Sequence, residues 1–342
     1  MVMRVGIGGD WRLVYSPLSV WNSGMPRLAD DFLDCVVYFY RSAHEAQEGI
    51  NIGGSGFLVG VSCERIPNGL FTYAVTNRHV IADADVVRLN TANGTLHVEK
   101  VNRETWICSK TDDLAVRQLA MPPDIFAHKS FSHTSILTKE RCEMMNIGIG
   151  DEVFMVGRFI NHEGKQRNAP LVRFGAIAQM PGEPIAYTLN GKYHEQQSII
   201  ADIRSIGGYS GSPVFLNELS FLSRPNRAQR VEKHWLLGVD WGHIPMWRPV
   251  CGPDEEPIGN TQVNINSGMA GIVPAWKLLD LIMADTLVKQ RADFEDAYLK
   301  AHKGSPAVPD AAVPPANDAN PIHREDFTRL LGAAGRKPPQ ED

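Results

Sequence analysis

From Cys35 onward the chain is written in short runs rich in Val, Ile, Phe and Tyr, separated by clusters of Gly, Pro and Asn. Val36 to Tyr40, Gly56 to Val61, Leu70 to Thr76, Val153 to Val156, Leu171 to Ala176 and Trp235 to Val239 are of this kind. Runs of this length and composition read as strands joined by turns. The strand-then-helix alternation that marks a parallel, doubly wound sheet is missing. An all-β barrel or sandwich is therefore expected.

With 342 residues, 43% of them hydrophobic, the chain can fill one large all-β domain or two smaller barrels plus terminal extensions. Between about Ala120 and Asn146 the pattern loosens around Pro122-Pro123, a place for a crossing between two barrels. Near Val273-Pro274 the period changes. Trp276, Leu279, Met283 and Leu287 recur at helical spacing behind a proline suited to a helix start, which predicts a helix packed on a barrel. Residues 303–321 are rich in Pro, Ala, Asp and Asn and too poor in large apolar groups to fold alone. Beyond them Phe327, Leu330 and Leu331 could share one helical face, leaving room for a protein partner reached through the C-terminal tail, with a frayed tail as the plainer reading.

Several function classes fall away. A net charge of −5 and the want of any dense Lys/Arg run give no field for nucleic acid. The N-terminal apolar stretch is broken by Asp10 and Arg12, and no segment is apolar enough to span a bilayer, so a cytoplasmic protein with no membrane contact is expected. Five scattered cysteines, with no Cys-x-x-Cys pair and no histidine at ligand spacing, argue against a disulfide framework and a zinc site.

Candidate chemistry begins at Gly208-Tyr209-Ser210-Gly211-Ser212-Pro213. A serine between glycines on a tight loop suits acyl transfer, because small neighbours let backbone N–H groups of Gly208 and Ser210 converge on a developing oxyanion. The same cluster taken alone also describes an ordinary turn. A serine nucleophile needs a base, and among 11 histidines His79 stands directly after the apolar run ending at Thr76, where it could reach across a cleft. The imidazole needs a carboxylate to orient it. Asp113 precedes the apolar Leu114-Ala115-Val116, and Asp112 is its immediate competitor.

At these three points the chain resembles the chymotrypsin-like (trypsin-like) serine peptidases, and within them the HtrA-type branch reduced to its protease domain, without a PDZ-like domain. The match runs through Gly54-Ser55-Gly56-Phe57-Leu58-Val59, Thr76-Asn77-Arg78-His79-Val80 and Asp113-Leu114-Ala115-Val116. It continues through Gly150-Asp151-Glu152-Val153, the stretch Asp202 to Pro213, Gly238-Val239 and Gly271-Ile272-Val273-Pro274. The resemblance implies an all-β double six-stranded β-barrel with a C-terminal helix. Its expected boundaries are an N-terminal extension over 1–30 and a peptidase domain over 31–290. The first barrel would span about 31–120, the second about 146–272 and the helix 274–300, followed by a disordered tail over 303–342. It implies a serine endopeptidase acting on polypeptide through an acyl-enzyme, with no metal or organic cofactor. His79 would be general base, Asp113 its orienting partner, Ser210 nucleophile, and the N–H groups of Gly208 and Ser210 the oxyanion hole. The order His, Asp, Ser also sets the chain apart from α/β-hydrolases, whose Gly-x-Ser-x-Gly elbow would need glycine where Ser212 stands.

Two departures matter. Many trypsin-like enzymes carry an aspartate just before the nucleophile, pairing with a newly cut N-terminus, and here that position is Tyr209. Ser212 replaces a commoner glycine, which is neutral unless a positive φ is required there. For substrate binding, Asp240-Trp241-Gly242 resembles the Ser-Trp-Gly segment lining the primary pocket, and Asp240 would lie near Asp113 unless it is an ordinary loop aspartate. Arg204, six residues before Ser210, would favour an acidic side chain if it pointed inward; the bland alternative is a surface arginine. The rival function is a latent or non-catalytic double barrel that binds a peptide or partner.

Overall fold

A computed structural model describes residues 28–51, 53–158, 164, 165, 167–189, 192–217 and 234–302. The chain parts into a segment Met1–Asp30 and a compact unit that begins at Asp31. Most of the expected N-terminal extension, the tail from 303 and the apolar face of Phe327, Leu330 and Leu331 lie outside the described residues.

The unit opens with a helical turn α1 (Asp31–Asp34) and strand β1 (Val36–Tyr40). Every residue of β1 is buried, because both of its faces are covered. Val37 and Phe39 enter the apolar core with Leu58, Ala74, Val87, Leu89, Ala115 and Trp106. On the opposite face the guanidinium groups of Arg88 and Arg158 lie over the rings of Tyr38 and Tyr40. Helix α2 (Ala43–Glu48) follows, capped by the Ser42 hydroxyl and closed by Gly49 in the left-handed region. Strands β2 (Ser55–Ser62) and β3 (Leu70–Thr76), the short helix α3 (Arg78–Asp83), β4 (Val86–Asn90), β5 (Leu96–Lys100), β6 (Ile107–Cys108), β7 (Ala115–Leu119) and β8 (Phe131–Ser132) complete the first half. They form an eight-stranded sheet in the order β5-β4-β1-β2-β3-β7-β6, with β8 pairing β2 in parallel.

Past α4 (Lys139–Met144), the second half is a closed barrel. It is built from β9 (Glu152–Gly157), β10 (Leu171–Gln179), β13 (Ile199–Asp202), β14 (Pro213–Leu216), β15 (Leu236–Cys251) and β16 (Pro257–Pro274). Its order is β10-β13-β16-β15-β14-β9. A separate hairpin, β11 (Ile185–Leu189) with β12 (Lys192–Gln196), interrupts it between β10 and β13. Phe154 and Phe215 stack inside the barrel at 5.2 Å, with Phe32 edge-on to both. Beyond the barrel wall β15 and β16 continue as a two-stranded ribbon paired as far as Cys251↔Pro257, with Trp247, Ile258 and Val263 exposed.

The all-β expectation holds, and one closed six-stranded barrel is present. The expected pair of six-stranded barrels is corrected in the first half. Among the described residues no ladder joins β5 to β6. Strand β6 is two residues long because the chain then turns back on itself, Ser109 N–H bonding to Leu114 O and Leu114 N–H to Asp112 O, and that turn presents Asp113.

Where the spacing predicts one terminal helix there are two, α5 (Ala275–Ile282) and α6 (Asp285–Ala301). Ala284 is extended and breaks the run, and Met283 is 38% exposed rather than packed. Arg291 of α6 holds the break together: its Nη1 donates to Ile282 O, a free carbonyl at the end of α5, and to Tyr73 Oη on β3, each at 3.0 Å. Removing a buried charged donor leaves both acceptors without their bonds. Arg291→Ala is expected to lower unfolding stability by about 2–4 kcal/mol, read as a shift in the urea midpoint.

Candidate active site

Strand β3 ends at the buried Thr76, and the extended Asn77 turns the chain into α3. His79 thus sits in the first turn of a short helix, one step further than a strand end. Asn77 Nδ2 donates to Asp113 O at 2.8 Å, drawing the β6–β7 turn against the start of α3. Asp113, 3% exposed, then receives His79 twice: the backbone N–H on Oδ1 at 3.0 Å and the ring Nδ1 on Oδ2 at 2.6 Å. A carboxylate in that place holds the Nδ1 proton and leaves Nε2 as the acceptor. The Asp113 N–H donates to Gln196 Oε1 at 2.9 Å, so the hairpin end from the second half braces the turn. Asp112, the rival in the sequence, faces elsewhere. Its oxygens accept from Thr111 Oγ1 at 2.7 Å, Ser109 Oγ at 3.2 Å and Gln196 Nε2 at 3.3 Å, with Lys277 Nζ 3.7 Å away.

Ser210 lies on the loop between β13 and β14, across a cleft of about 180 Å³ that His79, Gly208 and Ser210 line together with Gly53, Gly54 and Tyr40. The structure brings His79 and Asp113 into direct contact and places Ser210 in the same cleft. Its Oγ donates to Trp241 O at 3.3 Å, and among the described residues no hydrogen bond links it to His79. The N–H groups of Gly208 and Ser210 meet no acceptor among the described residues. Gly211 must be glycine on two counts: its φ is +90°, and a Cβ would stand 2.0 Å from Ser55 O. Ser212 is not among the residues with positive φ, so the serine there is unstrained.

Tyr209, in the position before the serine, is fully buried. Its hydroxyl accepts from Arg173 Nε on β10 at 3.0 Å, and the guanidinium lies 5.2 Å from the ring centre. Arg204 is exposed two residues past the strand end at Asp202, with no ion pair among the described residues. Asp240 is wholly buried beneath the loop. Its Oδ2 accepts from Ser205 Oγ at 2.9 Å, its O from Gly211 N–H and its N–H donates to Ser212 O. Trp241 is buried, its Nε1 donating to Ser198 Oγ at 2.9 Å, and Gly242 is half-buried behind it. Ser55, Asn77 and Ser205 lie within the motifs that carry the resemblance, without a role of their own there, and Gln196 lies in none of them. Among the described residues no group of three or more His, Cys, Asp or Glu could hold a metal ion, and no helix is long and apolar enough to cross a membrane.

Residues 54–221 match the family model of the trypsin-like peptidase domain. All of His79, Asp113 and Ser210 fall inside the match. No curated protein matches the chain. Among solved structures it is similar to the HtrA-type protease AlgW with tripeptide, at 14% identity and TM-score 0.40, covering 75% of this chain. The chain spans 62% of that AlgW chain. It is also similar to the inactive form of a serine-to-alanine mutant of Rv3671c from M. tuberculosis H37Rv, at 12% identity and TM-score 0.37, covering 74% of this chain and 87% of that one.

Burial raises the Asp240 carboxyl from 3.8 to about 7, with Ser205, the Gly242 N–H and the nearby His79 drawing it part of the way back. The folded chain therefore keeps a proton at Asp240 over an interval in which the unfolded chain has lost it. That stability is fully present below the ordinary carboxylate range and is lost as pH rises toward about 7. Asp240→Asn, which stays neutral and keeps an acceptor for Ser205, is expected to lose less melting temperature than the wild type between about pH 5 and about pH 8.

Proposed function

We propose that this chain is a serine endopeptidase in which His79, Asp113 and Ser210 act as a catalytic triad. The observation that carries the reading is the pair of bonds by which Asp113 fixes His79, backbone and ring together, on the wall of the cleft that holds Ser210. With Nδ1 protonated and held by Asp113, Nε2 accepts the Ser210 proton as Oγ attacks the scissile carbonyl. The carbonyl oxygen gains charge and is met by the Gly208 and Ser210 N–H groups, which have no competing acceptor among the described residues. His79 passes the proton to the departing amine. Water then attacks the acyl-enzyme by the same relay, regenerating Ser210.

The Ser210 hydroxyl resting on Trp241 O favours a second reading, a latent double-lobed protein whose serine engages His79 only when a bound peptide displaces that contact. A fluorophosphonate probe separates the two, since it needs an activated serine and little binding. Wild-type protein is expected to be labelled at Ser210, located by mass spectrometry, and Ser210→Ala and His79→Ala to remain unlabelled. Asp113→Asn should label roughly a thousandfold more slowly or worse, through the wrong imidazole tautomer. Wild type that stays unlabelled until a peptide is added would support the latent reading.

A further inference from the structure

The loop that carries the oxyanion donors has an internal weakness. Tyr209 N–H bonds to Ile206 O at 3.1 Å, closing a β-turn whose central residues are Gly207 and Gly208. Gly208 has φ +91°, and Gly207 is not among the positive-φ residues, so the turn is type II. Gly208 lines the cleft, and in that state its N–H meets no acceptor among the described residues. The type I alternative turns the Gly207–Gly208 peptide over, and with glycine at both central positions no Cβ opposes the change. A hold on the loop must come from outside the turn.

It comes from Ser55 at the start of β2. The residue is wholly buried, and its Oγ lies between two backbone groups. Arg158 N–H reaches it at 3.0 Å, and Gly208 O lies 2.7 Å away. A backbone N–H can only donate, so the hydroxyl proton is directed at the Gly208 carbonyl. The same residue's N–H holds Ser210 O at 2.8 Å. Ser55 therefore grips the loop on both sides of Tyr209, and a Cβ added at Gly208 would stand 3.8 Å from the Arg158 aliphatic chain.

We propose that the Ser55 hydroxyl is a positioning residue for the oxyanion hole, anchoring the Gly208–Tyr209 peptide that links the Gly208 and Ser210 N–H groups. The inference rests on the triad reading above but concerns a group that touches neither substrate nor the reacting atoms.

The test compares wild type, Ser55→Ala and Ser55→Thr, each checked for a native melting transition. On a chromogenic peptide ester, Ser55→Ala is expected to lose roughly ten- to a hundredfold in kcat with KM changed less than about threefold, because the hole acts only on the transition state. Affinity for a peptide boronate, whose tetrahedral adduct occupies the hole, should fall by a similar factor. Ser55→Thr, which keeps the hydroxyl, should recover most of both. Unchanged kcat and boronate affinity in Ser55→Ala would overturn the proposal, as would an equal loss in Ser55→Thr with its fold intact. If the wild type itself shows no labelling or turnover, the triad reading fails and the positioning role is read from the amide resonances instead. A shift of the Gly208 and Tyr209 amides in Ser55→Ala supports it, and unaltered resonances refute it.

Discussion

The candidate site depends on one seam, where β2 of the first sheet meets the loop before β14 of the barrel. His79 and Asp113 belong to the sheet and Ser210 to the barrel, so the chemistry exists only while the two halves keep a fixed register. Ser55 sets that register. Its N–H, O and Oγ are each engaged, to Ser210 O, Thr76 Oγ1 and Gly208 O. Gly211 closes the approach, since any side chain there would strike Ser55 O and Thr76 Oγ1. A second tie crosses the seam in the opposite sense, from Gln196 of β12 to the N–H of Asp113. The Ser210 loop is thus held by the sheet, and Asp113 is held by Gln196 of the hairpin.

Two buried aspartates stand on this seam with opposite surroundings. Asp113 meets two donors from His79, and its own backbone is tied by Asn77 and Gln196. Asp240 has a single side-chain donor, Ser205, in a wholly enclosed site, and burial favours its neutral form. The charge that acts on Asp240 is His79, which offsets part of the effect of burial. A neutral Asp240 can bridge the loop through Ser205 without competing with Asp113 for the imidazole.

The sequence was most informative where a local pattern had one physical solution. Val36–Tyr40 and Leu70–Thr76 are bounded as strands where their apolar runs begin and end. The order of His79, Asp113 and Ser210 located the cleft because each lies beside such a run. The ribbon was not legible. Pro245, Pro249 and Gly242 read as strand breakers, yet β15 carries them through 16 residues, because from Gly242 onward its ladder is with β16 and the other side has no β14 partner to demand every N–H. The single terminal helix failed for a similar reason. Met283 fits the apolar spacing, but the break is set by Arg291, and its partners, Ile282 O and Tyr73, are not adjacent in sequence. Arg204 was placed by counting back from Ser210, and counting gives position along the chain without the direction of the side chain.

Tyr209 shows how the loop is ordered without the acid that many trypsin-like enzymes place there. An aspartate in that enclosed site would need a counter-cation to offset its desolvation, and so would tie order of the loop to the arrival of a charge. A tyrosine fills the same space with apolar surface and needs only one partner for its hydroxyl, which Arg173 supplies from β10 of the barrel itself. The guanidinium also lies close to the ring, adding attraction that persists without any cut terminus. Together with the Ser55 contacts, this clamp fixes both sides of Ser210 using groups already inside the folded unit. What remains adjustable is the Ser210 side chain, a single rotation between Trp241 O and the cleft.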